Sequence, residues 1–222
     1  MAHFFITGAA RGIGRALAIE ALRRGHAVTV SVRAASDLST VPDGAEAVVF
    51  DVRDDAAIAT AAAGIDRPVD VLVNNAGVIG RQRQSTLDMD FDGFAETLAI
   101  NTLSPLRVSQ AFLPHLRRSD RPRIVTISSA MGRLSYQKSD RIAYRASKAA
   151  VNKVMQGLAT DLRSEGIAVQ CVHPGWVRTD MGGPQADIDV AESAGGILDR
   201  AEALELVDTG SFVNYDGSTI DW

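Results

Sequence analysis

The feature of this sequence that most narrows its fold is the character of its apolar runs. They are short, rich in valine and isoleucine, and they do not alternate with polar residues. Strands covered on both faces read this way. On that basis residues 3–7, 27–32, 45–51, 69–74, 123–128, 169–173 and 211–215 are expected strands. Between them lie stretches with helical spacing or helix-favouring composition, at 12–24, 54–63, 90–110, 143–165 and 188–206. Gly25 follows the first helix as a left-handed stop. Alternation of strand and helix argues a parallel, doubly wound α/β sheet of about seven strands with helices on both faces. No linker, repeat or low-complexity tract divides the chain, so one domain is expected over residues 1–222. The Arg/Gln-rich stretch 81–84 reads as a solvated loop.

The first strand runs directly into Thr7-Gly8-Ala9-Ala10-Arg11-Gly12-Ile13-Gly14 and then into a helix. Glycines at such a turn let the backbone approach a pyrophosphate, and the helix N-terminus adds free N–H groups and a positive dipole end. A glycine-rich turn alone is weak, but here it opens a β-α-β unit, as the mechanism requires. The arrangement points to a single-domain Rossmann-type fold that binds a dinucleotide through Gly8, Arg11, Gly12, Ile13 and Gly14. It is not a P-loop, because no Gly-Lys-Ser/Thr follows. The second strand ends in Val32 and Arg33, where NAD-binding chains usually place an acid for the ribose 2′-hydroxyl. The planar fork of Arg33 suits a 2′-phosphate instead. NADP(H) is therefore expected over NAD(H), with Arg11 assisting from the loop. Asp37 lies too far past the strand end to serve as the ribose ligand.

Tyr144 and Lys148 stand four apart on an expected helix and so share a face. The chain holds only three tyrosines and three lysines, against 20 arginines, so a chance pairing at this spacing is rare. A free tyrosine titrates near 10, and bringing it to about 7 takes roughly 4 kcal/mol. One ammonium at ~4–5 Å in an effective dielectric of ~20 supplies roughly 3–4 kcal/mol. Lys148 is thus an expected activator of a Tyr144 general acid. Ser129 follows the fifth strand at the carboxyl end of the sheet, where ligands of open α/β folds bind, with Ser128 as its rival.

Thr7–Gly14, Asn74-Asn75-Ala76-Gly77, Ser129, Tyr144-x-x-x-Lys148 and Pro174-Gly175 occur together in the order and approximate spacing of the short-chain dehydrogenase/reductase family. The resemblance covers nearly the whole chain. The stretches YRASKAAVN, HPGWVRTDMGG and SFVNYDGSTIDW resemble its compact C-factor/sniffer-type carbonyl reductase subgroup. The resemblance implies that Ser129, rather than Ser128, positions the substrate oxygen, and that Asn101 holds a relay water leading from Lys148. It implies that Asp51 and Val52 hold the adenine, and that Asn75, Ala76 and Gly77 line the riboses together with Tyr144 and Lys148. Pro174, Gly175, Val177 and Thr179 would lie along the nicotinamide. His173 is expected as a satisfied core histidine rather than a catalyst. Two departures qualify the match: Ser129 and Tyr144 are 15 apart, slightly more than the commonest spacing, and little chain follows Met181 to form a substrate lid. The loop 132–141, carrying Arg133, Lys138 and Arg141, is expected to shape an acidic or polar entrance.

The resemblance implies an oxidoreductase that transfers hydride between NADP(H) and a carbonyl/alcohol pair; the alternative is an NAD(P)-binding signalling or sensor protein with little turnover. Composition excludes other classes. The net charge of −4 argues against a nucleic-acid binder, which would carry a basic stripe. No apolar run approaches the ~20 residues of a membrane helix. The four histidines and one cysteine show no metal-ligand spacing, so no metal is expected. Cys171, alone, fits a reducing compartment, and a cytoplasmic protein is expected. The expected partner is a small carbonyl or alcohol. In the family, helices corresponding to 90–110 and 143–165 form dimer faces, yet some compact members are monomers, which leaves homodimer, homotetramer and monomer open.

Overall fold

The computed structural model describes the whole chain, Met1–Trp222. Strands β1 (His3–Ile6), β2 (Ala27–Val32), β3 (Glu46–Val49), β4 (Val71–Asn74), β7 (Arg123–Ile127), β8 (Ala168–His173) and β9 (Ser211–Asn214) form one seven-stranded sheet in the order β3-β2-β1-β4-β7-β8-β9. Every pairing in it is parallel. The strand order reverses between β1 and β4, so the crevice of a doubly wound fold opens at their carboxyl ends.

Helices α1 (Gly12–Arg23) and α6 (Val190–Ala203) cover one face; α2 (Asp55–Ala63), α4 (Ser104–Leu116) and α5 (Ile142–Leu162) cover the other. The pleat explains why the strands read as unbroken apolar runs. Within β1, Phe4 and Ile6 pack into the α1/α6 layer while Phe5 packs into the α4/α5 layer, and all three are fully buried. Helix α1 ends as the sequence predicts: Gly25 has φ +80°, its N–H donates to Leu22, and the next N–H, of His26, donates to Ala21. This is a Schellman closure.

The structure corrects the sequence in two places. The stretch 90–110 is not one regular helix: α3 (Phe91–Leu98) passes through a π turn (Ala99–Leu103) into α4. And residues 81–84 are not simply a solvated loop. Gln84–Ser85 (β5) and Asp88–Met89 (β6) make a small antiparallel hairpin, and Gln84 is buried.

Candidate active site

The glycine loop is held from below by β4. Thr7 Oγ1 accepts hydrogen bonds from the backbone N–H groups of Asn75 and Ala76, and Asn75 Nδ2 donates to the carbonyls of Thr7 and Gly8. The fit leaves no room for a side chain on two of the glycines. A Cβ on Gly14 would lie 2.4 Å from Asn75 Nδ2, and one on Gly8, whose φ is +69°, would lie 2.9 Å from Ala76 Cα. Helix α1 opens at Arg11 with no side-chain cap and no acid in its first turn, so its first N–H groups are free for an anion. Arg33 projects, exposed and without an ion pair, from the end of β2, and its charge reaches the Asp51 carboxylate. That carboxylate is already gripped by Arg53, at 2.7 Å to Nη2, and this pairing holds it below the usual aspartate range. Val52 packs beside the α2/α4 core. Asp37 is spent locally, accepting the backbone N–H of Ala34.

On the other side of the crevice β7 delivers Ser128 and Ser129, and α5 delivers Tyr144 and Lys148; all four are buried. The two serines are separated by their partners. Ser128 donates to Asn152, deep under α5, whereas the Ser129 hydroxyl accepts from the Met131 N–H and faces Tyr144. Lys148 Nζ donates to the Ile127 carbonyl at 2.8 Å and lies 5.8 Å from the centre of the Tyr144 ring. A Cβ on Gly77 would stand 3.2 Å from Asn101 Oδ1 and 3.8 Å from Lys148 Nζ, so the strand end, the π turn and the lysine meet at one point. Burial dominates the electrostatics: it lowers Lys148 to about 8 and raises Tyr144 above the usual tyrosine value. The counterweights at Tyr144 are the hydrogen bond with Ser129 and the charge of Arg141, not the ammonium of Lys148. The expected lowering of Tyr144 by Lys148 is not seen: desolvation, the largest influence, holds the phenol above its usual value.

Asn101 sits in the π turn, wholly buried. Its Oδ1 accepts the Val78 N–H; its Nδ2 donates to the Val78 carbonyl and to Ser147 Oγ, and Ser147 in turn donates to the Tyr144 carbonyl. After β8 the chain turns at Pro174 and Gly175. The latter has φ +84°, and a Cβ there would press within 2.5 Å of Ile188. Ser193 of α6 donates to the Pro174 carbonyl, and Val177 bridges to Ile188. The segment then folds back over the glycine loop: Thr179 Cγ2 lies 3.7 Å from where a Cβ of Gly12 would be, and Asp180 pairs with Arg11 at 2.6 Å. His173 differs from expectation. Its Nδ1 is buried with no partner, and burial lowers the ring to about 4, so it is neutral rather than satisfied.

A family model for short chain dehydrogenases matches residues 2–188. The chain belongs to the short-chain dehydrogenase family. C-signal of Myxococcus xanthus is 43% identical over 156 residues, which are 70% of this chain and 93% of that one. The carbonyl reductase Sniffer of D. melanogaster superposes with a TM-score of 0.91 at 30% identity, covering 100% of both chains. A carbonyl reductase from chicken fatty liver, solved with NADPH bound, gives a TM-score of 0.89 at 30% identity over 99% of this chain and 98% of that one. This short-chain dehydrogenase is thus an oxidoreductase of the compact C-factor/sniffer type.

The structure gathers the sequence-predicted residues of this short-chain dehydrogenase around one crevice in two groups. Gly8, Gly12, Ile13, Gly14, Arg33 and Asp51 stand at the β1–β2–β3 end; Asn101, Ser129, Tyr144 and Lys148 stand at the β7–α5 end. Sequence reasoning missed Ser147, Asn152, Gln84 and Asp180. Each acts through a tertiary contact from a distant segment, and only the side-chain geometry reveals it. The side-chain amide of Asn75, an expected ribose-lining residue, also fastens the glycine loop.

Proposed function

We propose that one domain, residues 1–222, reduces small carbonyl compounds with NADPH and oxidises the corresponding alcohols in reverse. The observation that carries this reading is the buried grouping of the Ser129 hydroxyl, the Tyr144 phenol and the Lys148 ammonium beside Gly77. The residues fit a dinucleotide: the uncapped start of α1 suits a pyrophosphate, and the unpaired Arg33 suits a 2′-phosphate. When bound, NADPH supplies the hydride. Ser129 positions the carbonyl oxygen, and Tyr144, protonated because its burial disfavours the phenolate, donates the proton. Lys148, whose ammonium now donates to the Ile127 carbonyl, would hold the nicotinamide ribose and bring positive charge to the phenol. Asn101 supports the proton path, Ala76 and Gly77 line the ribose, Asp51 and Val52 hold the adenine, and Pro174, Gly175, Val177 and Thr179 border the nicotinamide.

NADPH as the preferred cofactor is supported by Arg33 and by the NADPH bound in the chicken carbonyl reductase. The lone buried Cys171 supports a cytoplasmic setting. No helix is long and apolar enough to cross a membrane. The test is a screen of aldehydes, ketones and quinones with NADPH and NADH, run beside Tyr144→Phe. Parental turnover with NADPH and a loss of roughly 10²–10⁴-fold in the variant, with NADPH affinity retained, is the expected result. A parent that binds NADPH and reduces none of these compounds would favour the signalling alternative.

A further inference from the structure

We propose that Gln84 is a positioning residue for Tyr144: from the hairpin strand β5 it supplies the cap that α5 lacks, and so sets the phenol against Ser129. The inference rests on the carbonyl-reduction reading. Helix α5 begins abnormally. Its N-cap residue, Arg141, is the chain's single non-glycine residue with positive φ, at 51°, and offers no side-chain cap. The third helical residue is Tyr144, and its N–H is the group that a capping side chain ordinarily satisfies. Here it donates, buried, to Gln84 Oε1 at 3.0 Å, across 60 residues of chain.

The amide orientation is fixed by its other end. Gln84 Nε2 donates to the carbonyls of Ile79 and Arg81 at 2.9 and 2.6 Å, so a flipped amide would set oxygen against two carbonyls and an NH₂ against an N–H. Room for the tuck comes from Gly80, with φ +84°, where a Cβ would lie 3.0 Å from Gln84 Nε2. The backbone of Tyr144 is then tied to residues 78–84 at both its groups, directly through Gln84 and indirectly through Ser147 and Asn101. Gln84 takes its N–H; Ser147 takes its carbonyl and is itself held by Asn101, which clamps Val78. Residues 78–84 leave the strand end that carries Gly77, so they link the cofactor wall to the acid. A rotation of the first turn of α5 would carry the phenol away from Ser129, and misplacement by about 1 Å can cost about 10²-fold in rate.

The test compares Gln84→Met, which has similar length and no acceptor, with Gln84→Glu, which keeps an acceptor oxygen at the same reach, and with Gln82→Ala at the exposed neighbour. Amide exchange and ¹³Cζ-tyrosine resonances are read well below each melting temperature, together with kcat and KM. In Gln84→Met we expect the Tyr144 amide to lose protection, the Tyr144 ring resonance to shift toward its position in Ser129→Ala, and kcat to fall about tenfold or more while the KM for NADPH stays within about twofold. Gln84→Glu recovers the amide protection when the acid is protonated, its O–H then donating toward the Ile79 and Arg81 carbonyls as the amide does, and loses it as the acid ionises; Gln82→Ala matches the parent. Protection or ring resonance unchanged in Gln84→Met overturns the proposal, as does lost protection with full kcat. A parent that reduces no carbonyl would remove the reading of function alone, because the exchange and ring resonances still decide whether Gln84 positions Tyr144.

Discussion

Lys148 carries a charge into a place where no carboxylate answers it. Its ammonium has the Ile127 carbonyl and the thiol of Cys171 for neighbours, and burial lowers it to about 8 from an ordinary 10.5. For a base held below its unfolded value, the folded state bears a cost that is full below pH 8 and relieved as pH rises from 8 to 10.5. Cys171 works against this: burial pushes the thiol to about 12, so the thiolate forms more readily in the unfolded chain and stability falls as pH rises through 9. Between pH 8 and 9 the lysine's gain is partly offset by Cys171, whose thiol already ionises there in the unfolded chain. Denaturant melts of the free protein should therefore gain up to about 1 kcal/mol over that unit. Lys148→Met should show no such gain and should be the more stable protein at pH 7, while losing turnover and cofactor affinity. Direct titration by ¹³Cε-lysine spectra should show one of the three lysines titrating near 8. Arg33 gives the second prediction at this scale. Arg33→Ala should weaken NADPH by roughly 1.5–3 kcal/mol, the worth of a hydrogen bond to a charged group, and leave NADH nearly unchanged. Titration of both cofactors checks it, and tighter NADH than NADPH binding to the parent would reverse the cofactor assignment.

At the scale of elements, the site depends on close approach. The turn after β7, Ala130–Gly132, lies directly on the backbone of α5: a Cβ on Gly132 would stand 2.8 Å from the Lys148 carbonyl carbon and 2.9 Å from the Ala149 nitrogen. That contact brings the Ser129 turn down to Tyr144. Gly132→Ala must push the turn and helix apart, and backbone atoms cannot rotate away as a side chain can. We expect kcat to fall by roughly 10²-fold, the cost of about 1 Å of misplacement, with NADPH affinity within about threefold, since the nucleotide loop is built elsewhere. Steady-state kinetics alongside cofactor titration would show it. The π turn belongs to the same scale. Its extra residue breaks the regular spacing between α3 and α4 and leaves Asn101 buried at the end of β4. Asn101→Ala frees both backbone groups of Val78 and should lower turnover without abolishing cofactor binding. Unchanged turnover with a substrate whose chemical step limits the rate would make Asn101 purely structural.

For the whole molecule, the crevice lies between two halves of one sheet that are tied together at the glycine loop. Asn75 fastens the loop to β4, and Asp180, from the segment after β8, pairs with Arg11 at its lip. That pair is about four-fifths exposed on both sides, so as a surface ion pair it adds little to stability. A ligand seated between the halves should stabilise the fold as a unit. NADPH at 100 times its dissociation constant should add about 2.7 kcal/mol, which for a chain of this size raises Tm by roughly 5–10 °C. NADH at the same concentration should give a smaller shift. Equal shifts would mean that the 2′-phosphate meets nothing in the crevice.

The sequence by itself determined the sheet, its direction and the place of the crevice, because these follow from local pattern. Runs such as Phe4-Phe5-Ile6 must be covered on both faces, and a strand that meets a glycine turn and then a helix can only cross over in parallel. It also placed Tyr144 over Lys148, since a spacing of four on a helix is a distance in space. What it left open was decided by contacts between distant segments. Only the family resemblance separated Ser129 from Ser128 in the chain; in the structure Asn152 separates them by taking the first. Gln84 reads as part of a polar loop until the bare N–H of Tyr144 is found above it. The spacing predicted that Lys148 would lower Tyr144, yet burial set the free site the other way. Hydrogen bonds and desolvation act over a few ångströms of space, and no spacing along the chain records which groups will be brought that close.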